Sequence, residues 1–310
     1  MSPAAQSLLS VLVIAALGAG LGERRAAEAA DSLEAYVGTY SNGNSKGIYH
    51  LKATIDGDKV AAQVQLAAET KNPSFLALHP SGKWLYAVGE VGEWQGQKSG
   101  MVTAFARQQD GTLMRLGAQA TGGQGPCHVV VDAAGKHALV ANYGGGSVAS
   151  LPIGDDGALG PATSVMQHTG SSVDQGRQKE PHAHSINLDA ANRFAVAADL
   201  GTDELWVYRF DKATGKLSPN EPRAAKLTPG DGPRHFAFHP GGKFAYVINE
   251  MHSTVTSLSY DAQRGTLTPL ASLSTLPKDF DGGNSTAEVQ VHPSGKFVYG
   301  SNRGHDSIAI

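Results

Sequence analysis

Histidine, arginine and glutamate residues recur through the sequence at intervals of about fifty residues. Imidazole and carboxylate groups can give and take protons. Arginine binds carboxylate or phosphate groups through two parallel hydrogen bonds. If the fold brings these side chains to one place, they could support acid–base chemistry on an anionic substrate. The residues concerned are His128, His184, Arg234, His235, Glu250, Glu288 and Arg303.

The same interval separates copies of a short module, which reads His-Pro-Ser-Gly-Lys and continues as an apolar run. The copies begin at His79, Asp132, Asp189, His239 and His292. Each copy carries a residue that tolerates a positive φ, which a tight turn requires. These turn residues are Gly82, Gly135, Asn192, Gly242 and Gly295. Because His or Asp fills the same place in every copy, we assign these side chains to the scaffold and not to a metal site.

Each module predicts two antiparallel strands joined by the tight turn, and two further strands follow before the next module. Four short strands in about fifty residues are typical of a β-propeller blade. The sequence therefore predicts an all-β propeller over residues 31–310. In a propeller, the first strand of each blade lines the central channel. Its start and the end of the second strand should meet at one end of that channel, here called the channel mouth.

Residues at these two positions differ between blades, so they are candidates for a site, whereas repeated residues serve the blade. The candidates are the residues named at the outset, and Cys127 lies among them as an expected packed thiol. Two long polar loops, residues 168–181 and 277–286, should reach the same mouth. The first loop would bring Arg177 and His182 to the site. Alternatively, it is a solvated connection.

The overall composition excludes several functional classes. The net charge is −3 and no block of like charges occurs, so neither a nucleic-acid footprint nor a polybasic membrane patch is expected. Residues 1–30 contain an apolar run followed by Ala27-Glu28-Ala29, a form typical of signal-peptide cleavage sites. We expect a periplasmic or secreted monomer. Since no Lys or Arg precedes the apolar run, the alternative is an uncleaved leader on a cytoplasmic protein.

Several motifs together resemble a known family. They are Tyr36-Val-Gly-Thr-Tyr40, Asn142-Tyr143, Arg177-Gln178, Pro181-His-Ala-His-Ser185, Pro233-Arg-His-Phe-Ala-Phe-His-Pro240, Asn249-Glu250 and Ser301-Asn-Arg-Gly304. The chain resembles the lactonase family, the propeller-type 6-phosphogluconolactonases, over residues 35–310. The resemblance implies a seven-bladed propeller that needs no metal or organic cofactor. Because the sequence begins and ends within a blade, we expect a C-terminally truncated propeller that lacks about 80 residues.

The resemblance also implies roles for individual residues in hydrolysis of a sugar lactone. The expected substrate is 6-phosphogluconolactone, or another aldonolactone if the protein is exported. We assign Glu250 as the general base and His184 as the proton donor or oxyanion partner, and the order of roles among His184, Arg234, Glu250 and Arg303 stays open. Arg234 and Arg303 would polarise the carbonyl and hold the anionic group. The expected catalytic residues are His184, Arg234 and Glu250, and the expected substrate-binding residues are Arg303, His128, His182, His235 and Glu288.

Two alternatives from other functional classes remain open. A muconate-type cyclase would use similar channel residues. A non-catalytic binding propeller is suggested by Tyr246-Val-Ile-Asn249, which resembles the YVTN-type repeats of surface propellers. The His, Arg and Glu candidates that vary between blades argue against a pure scaffold.

Overall fold

The computed structural model describes residues 31–310. The leader expected over residues 1–30 lies outside the described residues. Within the described chain, six antiparallel sheets follow one another in sequence order. The first three sheets contain β1 (Asp31–Val37), β2 (Gly47–Asp56) and β3 (Lys59–Glu69); β4 (Leu76–Leu78), β5 (Trp84–Gly89), β6 (Met101–Arg107) and β7 (Leu113–Ala120); and β8 (Pro126–Val131), β9 (His137–Asn142), β10 (Ser147–Pro152) and β11 (Ser164–Gln167).

The next three sheets continue the same arrangement. They contain β12 (Ala183–Leu188), β13 (Phe194–Asp199), β14 (Glu204–Asp211) and β15 (Lys216–Lys226); β16 (Pro233–Phe238), β17 (Phe244–Asn249), β18 (Thr254–Asp261) and β19 (Thr266–Ser274); and β20 (Ser285–Val291), β21 (Val298–Arg303) and β22 (Ile308–Ala309). The all-β propeller predicted from the repeat is confirmed. The seventh blade and the truncation stay predictions, because residues 31–310 contain six blade sheets, of which the first and last have three strands.

The hydrophobic core lies between neighbouring sheets. Every residue of β9 and of β13 is buried, because a blade's second strand is covered on both faces by the adjacent blades. Between the fourth and fifth sheets, for example, Val196 and Val207 pack with Phe236 and Val247. Burial on both faces explains why these strands read as continuous apolar runs and do not alternate. The first strands β4, β8, β12, β16 and β20 lie side by side.

The repeated turns serve the scaffold, as predicted. Gly82, Gly135 and Asn192 have φ values of 70°, 68° and 51°. The His79 imidazole Nε2 lies 3.0 Å from the Gly135 carbonyl oxygen, in the same turn of the next blade. His239 makes the same 3.0 Å contact to the Gly295 carbonyl. His79 and His239 therefore link neighbouring blades.

Removing the hydrogen bond between a turn histidine and the next blade should reduce stability only where that blade supplies the accepting carbonyl. His79→Ala is expected to lower the free energy of unfolding by about 1–3 kcal/mol, because the buried imidazole leaves the Gly135 carbonyl without its donor. His292 occupies the same turn but is exposed and contacts only Ser294 through its ring nitrogens. His292→Ala should therefore change stability by less than about 0.5 kcal/mol. Urea unfolding compares the two variants, and equal losses would contradict an inter-blade role for His79.

In the part of the chain that the structure describes, we find no helix with the length and apolar character needed to span a bilayer.

Candidate active site

β-bulges position the first candidate side chains at the channel mouth. In the fourth blade, Ala183 pairs with Asp199 and Ser185 pairs with Ala198, so His184 is the extra residue of a bulge. Arg234 is the extra residue at the equivalent place in the fifth blade. A bulge bends the strand and redirects a side chain. In each of these two blades the start of the first strand pairs with the end of the second strand, as the repeat predicted.

Glu250 follows the end of β17 and is surrounded by three arginines. Its Oε1 accepts a hydrogen bond of 2.7 Å from Arg177. Its Oε2 lies 3.0 Å from Arg234 Nε and 3.0 Å from Arg303 Nη2. The Glu250 side chain is 9% exposed and that of Arg234 is 10% exposed, whereas Arg177 and Arg303 reach solvent. One buried carboxylate thus holds three guanidinium groups together.

The arginines determine the ionisation of Glu250. Burial alone would raise its pKa, but the surrounding His184, Arg234, Arg177 and Arg303 lower its pKa to about 2. Because His184 is neutral at neutral pH, as shown below, the arginines supply the charge that keeps Glu250 ionised. Three guanidinium groups and one carboxylate leave two excess positive charges. The mouth is therefore suited to an anionic ligand.

His184 is the neutral proton acceptor beside this cluster. Its Nε2 lies 3.9 Å from Glu250 Oε2. Burial, together with Arg234 and His235, holds the pKa of His184 well below its usual value of 6.5. The imidazole is therefore uncharged at neutral pH and can accept a proton. Its ring packs edge-on against Tyr143, with 5.1 Å between the ring centroids.

His182 and Cys127 support the wall around His184. The His182 ring stacks on Tyr143 at 4.5 Å, and its Nδ1 lies 3.0 Å from the Tyr143 carbonyl oxygen. Cys127 Sγ lies 3.6 Å from His184 Nδ1 and 3.3 Å from the His184 carbonyl oxygen. Burial raises the pKa of the Cys127 thiol. This thiol is protonated and packed, as the sequence suggested, and is not an activated nucleophile.

His128, His235 and Glu288 form a second group along the channel wall. Arg234 donates to His235 Nε2 at 3.2 Å, so the other ring nitrogen, Nδ1, carries the proton and donates to Glu288 Oε2 at 2.7 Å. The His128 ring lies 5.2 Å from the His235 ring, and its Nδ1 lies within 3.4 Å of the Ile186 amide nitrogen. Burial lowers the pKa of both histidines and raises that of Glu288. These polar atoms are mostly engaged with the protein.

The structure brings Arg177, which the sequence expected at this mouth, and Tyr143 into the site. Arg177 donates to Glu250 and, at 3.3 Å, to the Tyr143 hydroxyl. The 168–181 loop that carries it is fixed by a buried 2.6 Å contact between His168 and Asp199. Tyr143 was visible as the second-strand-end residue of its blade, and Arg177 lay in the loop expected at this mouth. The second predicted loop contributes only the Thr286 backbone, whose carbonyl accepts from Arg303 at 2.8 Å.

No three His, Cys, Asp or Glu side chains gather as a metal site within residues 31–310. Operation without a metal or organic cofactor stays a prediction.

The fold and the site define a β-propeller with an arginine-rich acid–base cluster at its channel mouth. The family model described as "Lactonase, 7-bladed beta-propeller" matches residues 34–310. The chain belongs to this lactonase family.

Individual relatives agree with this assignment. The chain is 37% identical over 276 residues to the 6-phosphogluconolactonase of Bacillus subtilis, a match that covers 89% of this chain and 76% of that protein. Among solved structures, a putative 6-phosphogluconolactonase from Bacteroides fragilis has a TM-score of 0.80 at 34% identity, covering 92% of this chain and 78% of that one. The periplasmic gluconolactonase of Pseudomonas aeruginosa has a TM-score of 0.81 at 30% identity, covering 89% and 77%.

Proposed function

We propose that the protein hydrolyses a sugar lactone that bears an anionic group, with 6-phosphogluconolactone as the leading substrate. The observation that carries this proposal is the pairing of a neutral buried histidine with three arginines that share one carboxylate. The first supplies a proton acceptor and the second supplies excess positive charge. The names of the Bacillus subtilis and Bacteroides fragilis relatives support the same substrate.

The proposed mechanism assigns the base role to His184 and not, as the sequence suggested, to Glu250. A carboxylate with a pKa of about 2 that is held by three arginines is a weak base at neutral pH. Its contacts instead fit a residue that positions the arginines. His184 is uncharged and has no arginine hydrogen-bonded to it within the described chain.

In the hydrolytic step, His184 takes a proton from water while the water oxygen bonds to the lactone carbonyl carbon. Negative charge then develops on the carbonyl oxygen, where a guanidinium donor stabilises it. When the tetrahedral intermediate collapses, the ring carbon–oxygen bond breaks and the alkoxide leaves. The protonated His184 returns its proton to this alkoxide, so the product is the open-chain hydroxy acid. No residue is consumed and no cofactor enters the balance.

Arg303 and Arg177 both reach solvent at the mouth, whereas Arg234 is buried. Of the two exposed arginines, we propose Arg303 as the clamp for the anionic group, the role that the resemblance suggested for it. Arg303→Ala should lower kcat/KM for 6-phosphogluconolactone roughly 10- to 100-fold, the worth of one or two charge-assisted hydrogen bonds. The loss should appear mainly in KM and should be small for neutral gluconolactone. Steady-state kinetics on both lactones measure this difference.

Arg115→Ala is the matched control, since Arg115 is an exposed arginine of β7. It should leave both substrates unaffected. If Arg303→Ala reduces activity on the charged and the neutral lactone equally, Arg303 is not the anion clamp. Activity of the unmutated protein on a carboxylated muconolactone alone would favour the cyclase alternative, and inactivity on every lactone would favour the binding propeller.

Export to the periplasm or beyond is proposed on the leader pattern of residues 1–30, and the periplasmic location named for the Pseudomonas aeruginosa relative supports it. An exported enzyme would meet aldonolactones outside the cytoplasm. The monomeric state, the absence of nucleic-acid and membrane partners, and the completion of the ring by a seventh blade stay predictions.

A further inference from the structure

Glu90 is a second carboxylate that follows the end of a second strand, but its surroundings differ from those of Glu250. It follows β5 as Glu250 follows β17, so the two occupy the same position in the second and fifth blades. Glu90 Oε2 accepts hydrogen bonds from the Tyr40 hydroxyl, at 2.8 Å, and from the Ser74 hydroxyl. Within residues 31–310, no arginine, lysine or histidine pairs with Glu90, and its Oε1 accepts no hydrogen bond.

Its neighbours place Glu90 at the same channel mouth as the arginine cluster. Ser74 precedes Phe75, whose ring packs against His128 at 4.3 Å and against His235 at 5.6 Å. The Glu90 charge also acts on the Cys127 thiol, which touches His184. Because the second and fifth blades are three sheets apart, Glu90 faces the opening from another side than Glu250. The partly exposed Glu90 carboxylate is therefore open to a ligand in the mouth.

The segment after Glu90 enlarges this side of the mouth. Residues 143–146, 200–203 and 250–253 connect the second and third strands of the third, fourth and fifth blades, whereas residues 90–100 do so in the second. The longer segment forms a small hairpin in which Trp94 and Gln97 exchange backbone hydrogen bonds of 3.1 and 3.0 Å. Gln124 donates to the Gly92 carbonyl at 2.9 Å and ties the hairpin to the third blade.

We propose that Glu90, held in place by Tyr40 and Ser74, is the subsite for the hydroxyl groups of the lactone. This inference rests on the proposed function and adds the second contact that orients the substrate. A carboxylate oxygen with free lone pairs accepts hydrogen bonds from neighbouring sugar hydroxyls, and such charge-assisted bonds are strong. The arginines hold the anionic end of the substrate. Glu90 selects polyhydroxylated lactones over lactones without hydroxyl groups.

Glu90→Gln tests the subsite with two lactones, glucono-δ-lactone and δ-valerolactone, which lacks ring hydroxyls. The variant should lower kcat/KM for the gluconolactone roughly 10- to 100-fold, mainly through KM, because a neutral amide accepts hydrogen bonds more weakly than a carboxylate. Its kcat/KM for δ-valerolactone should stay within about twofold of the unmutated value, by the same reasoning that only hydroxyl contacts are lost. Rates are taken above spontaneous hydrolysis.

Tyr40→Phe is the companion variant, which keeps the ring and Glu90 but removes one of the donors that fix the carboxylate. It should show the same selectivity with a smaller loss, so a folding defect in Glu90→Gln would not leave the question undecided. Equal losses on both lactones, or no loss on either, would overturn the subsite while the proposed lactonase function stands. An unmutated protein that is inactive on both lactones and on 6-phosphogluconolactone would overturn the function and the subsite together.

Discussion

Replacing His184 by asparagine is expected to lower kcat on a sugar lactone by roughly 10²–10⁴-fold, the usual contribution of a positioned general base. Asparagine retains a polar side chain of similar size at the bulge but cannot take a proton from water. The fold should survive, because the surrounding ladder of β12 and β13 is made by the backbone. Single-turnover or steady-state rates, measured beside an unfolding curve, separate the chemical effect from any loss of folded protein.

The pH dependence should identify the same residue. Because the folded-state pKa of His184 lies well below 6.5, the imidazole stays uncharged, with a ring nitrogen free to take a proton, from neutral pH down past 6.5. Activity should be flat across that interval and fall only when acid finally protonates His184. If Glu250 were the base, the fall would come near its pKa of about 2 instead. Glu250→Gln should reduce the rate and move the acid limb to lower pH without abolishing it, since the limb belongs to His184 and the Glu250 charge raises the pKa of that imidazole.

Two results would remove His184 from the base role. One is an unchanged kcat in His184→Asn; the other is an acid limb that moves to higher pH in Glu250→Gln, because loss of the Glu250 charge can only lower the pKa of His184. His292→Asn is the control for replacing a histidine in this chain, because His292 lies in an exposed turn and touches no residue of the mouth.

The fold and the outline of the site could be predicted because both follow from the repeat. Gly82 and Asn192 mark the same turn in different blades, and that regularity required two antiparallel strands on either side. Once the strands were placed, geometry forced His184, Arg234 and Glu250 to the same end of the channel. Positions where the residue type changes from blade to blade could then be distinguished from repeated scaffold positions. Glu250 and Tyr143, which follow the second strands of two different blades, are an example.

Details that depend on three-dimensional neighbours could not be predicted in this way. The bulges at His184 and Arg234 leave no mark in composition, because an extra residue shows only when the register of the partner strand is known. Arg177 could be expected at the mouth from its loop, but its hydrogen bond to Glu250 could not, because the loop lies outside the repeated positions that a comparison of blades aligns. We propose His184 and not Glu250 as the base because the Arg177 contact, seen only in the structure, makes the carboxylate less basic.

Arg234→Met is expected to cost about 3–5 kcal/mol in the free energy of unfolding, the largest stability effect we predict. Methionine fills similar space but removes the hydrogen bond that the most buried of the three arginines donates to Glu250, while Arg177 and Arg303 remain on the carboxylate. It also removes the 2.9 Å hydrogen bond that Arg234 donates to the buried Ala287 carbonyl. One lost charge-assisted bond and one buried carbonyl left without its donor together have a cost of about this size. Urea unfolding measures the loss as a shift of midpoint at constant slope.

The double variant Arg234→Met/Glu250→Gln separates the lost interaction of Arg234 with the Glu250 charge from lost packing. If the charge dominates, the double variant should lose less free energy of unfolding than the sum of the two single losses, by about 0.5–3 kcal/mol, as expected for residues in one network.

The stability cost of Arg234→Met should also depend on pH. Glu250 has a folded pKa of about 2, below its ordinary value of 4.5, so its ionisation stabilises the fold above pH 4.5 and this contribution disappears as the pH falls towards 2. The difference between the unmutated protein and Arg234→Met should therefore stay constant from pH 7 to about 4.5 and shrink as the pH falls from there towards 2. A loss that is additive in the double variant and constant with pH would mean that Arg234 acts through packing, and that Glu250 does not depend on it for its charge.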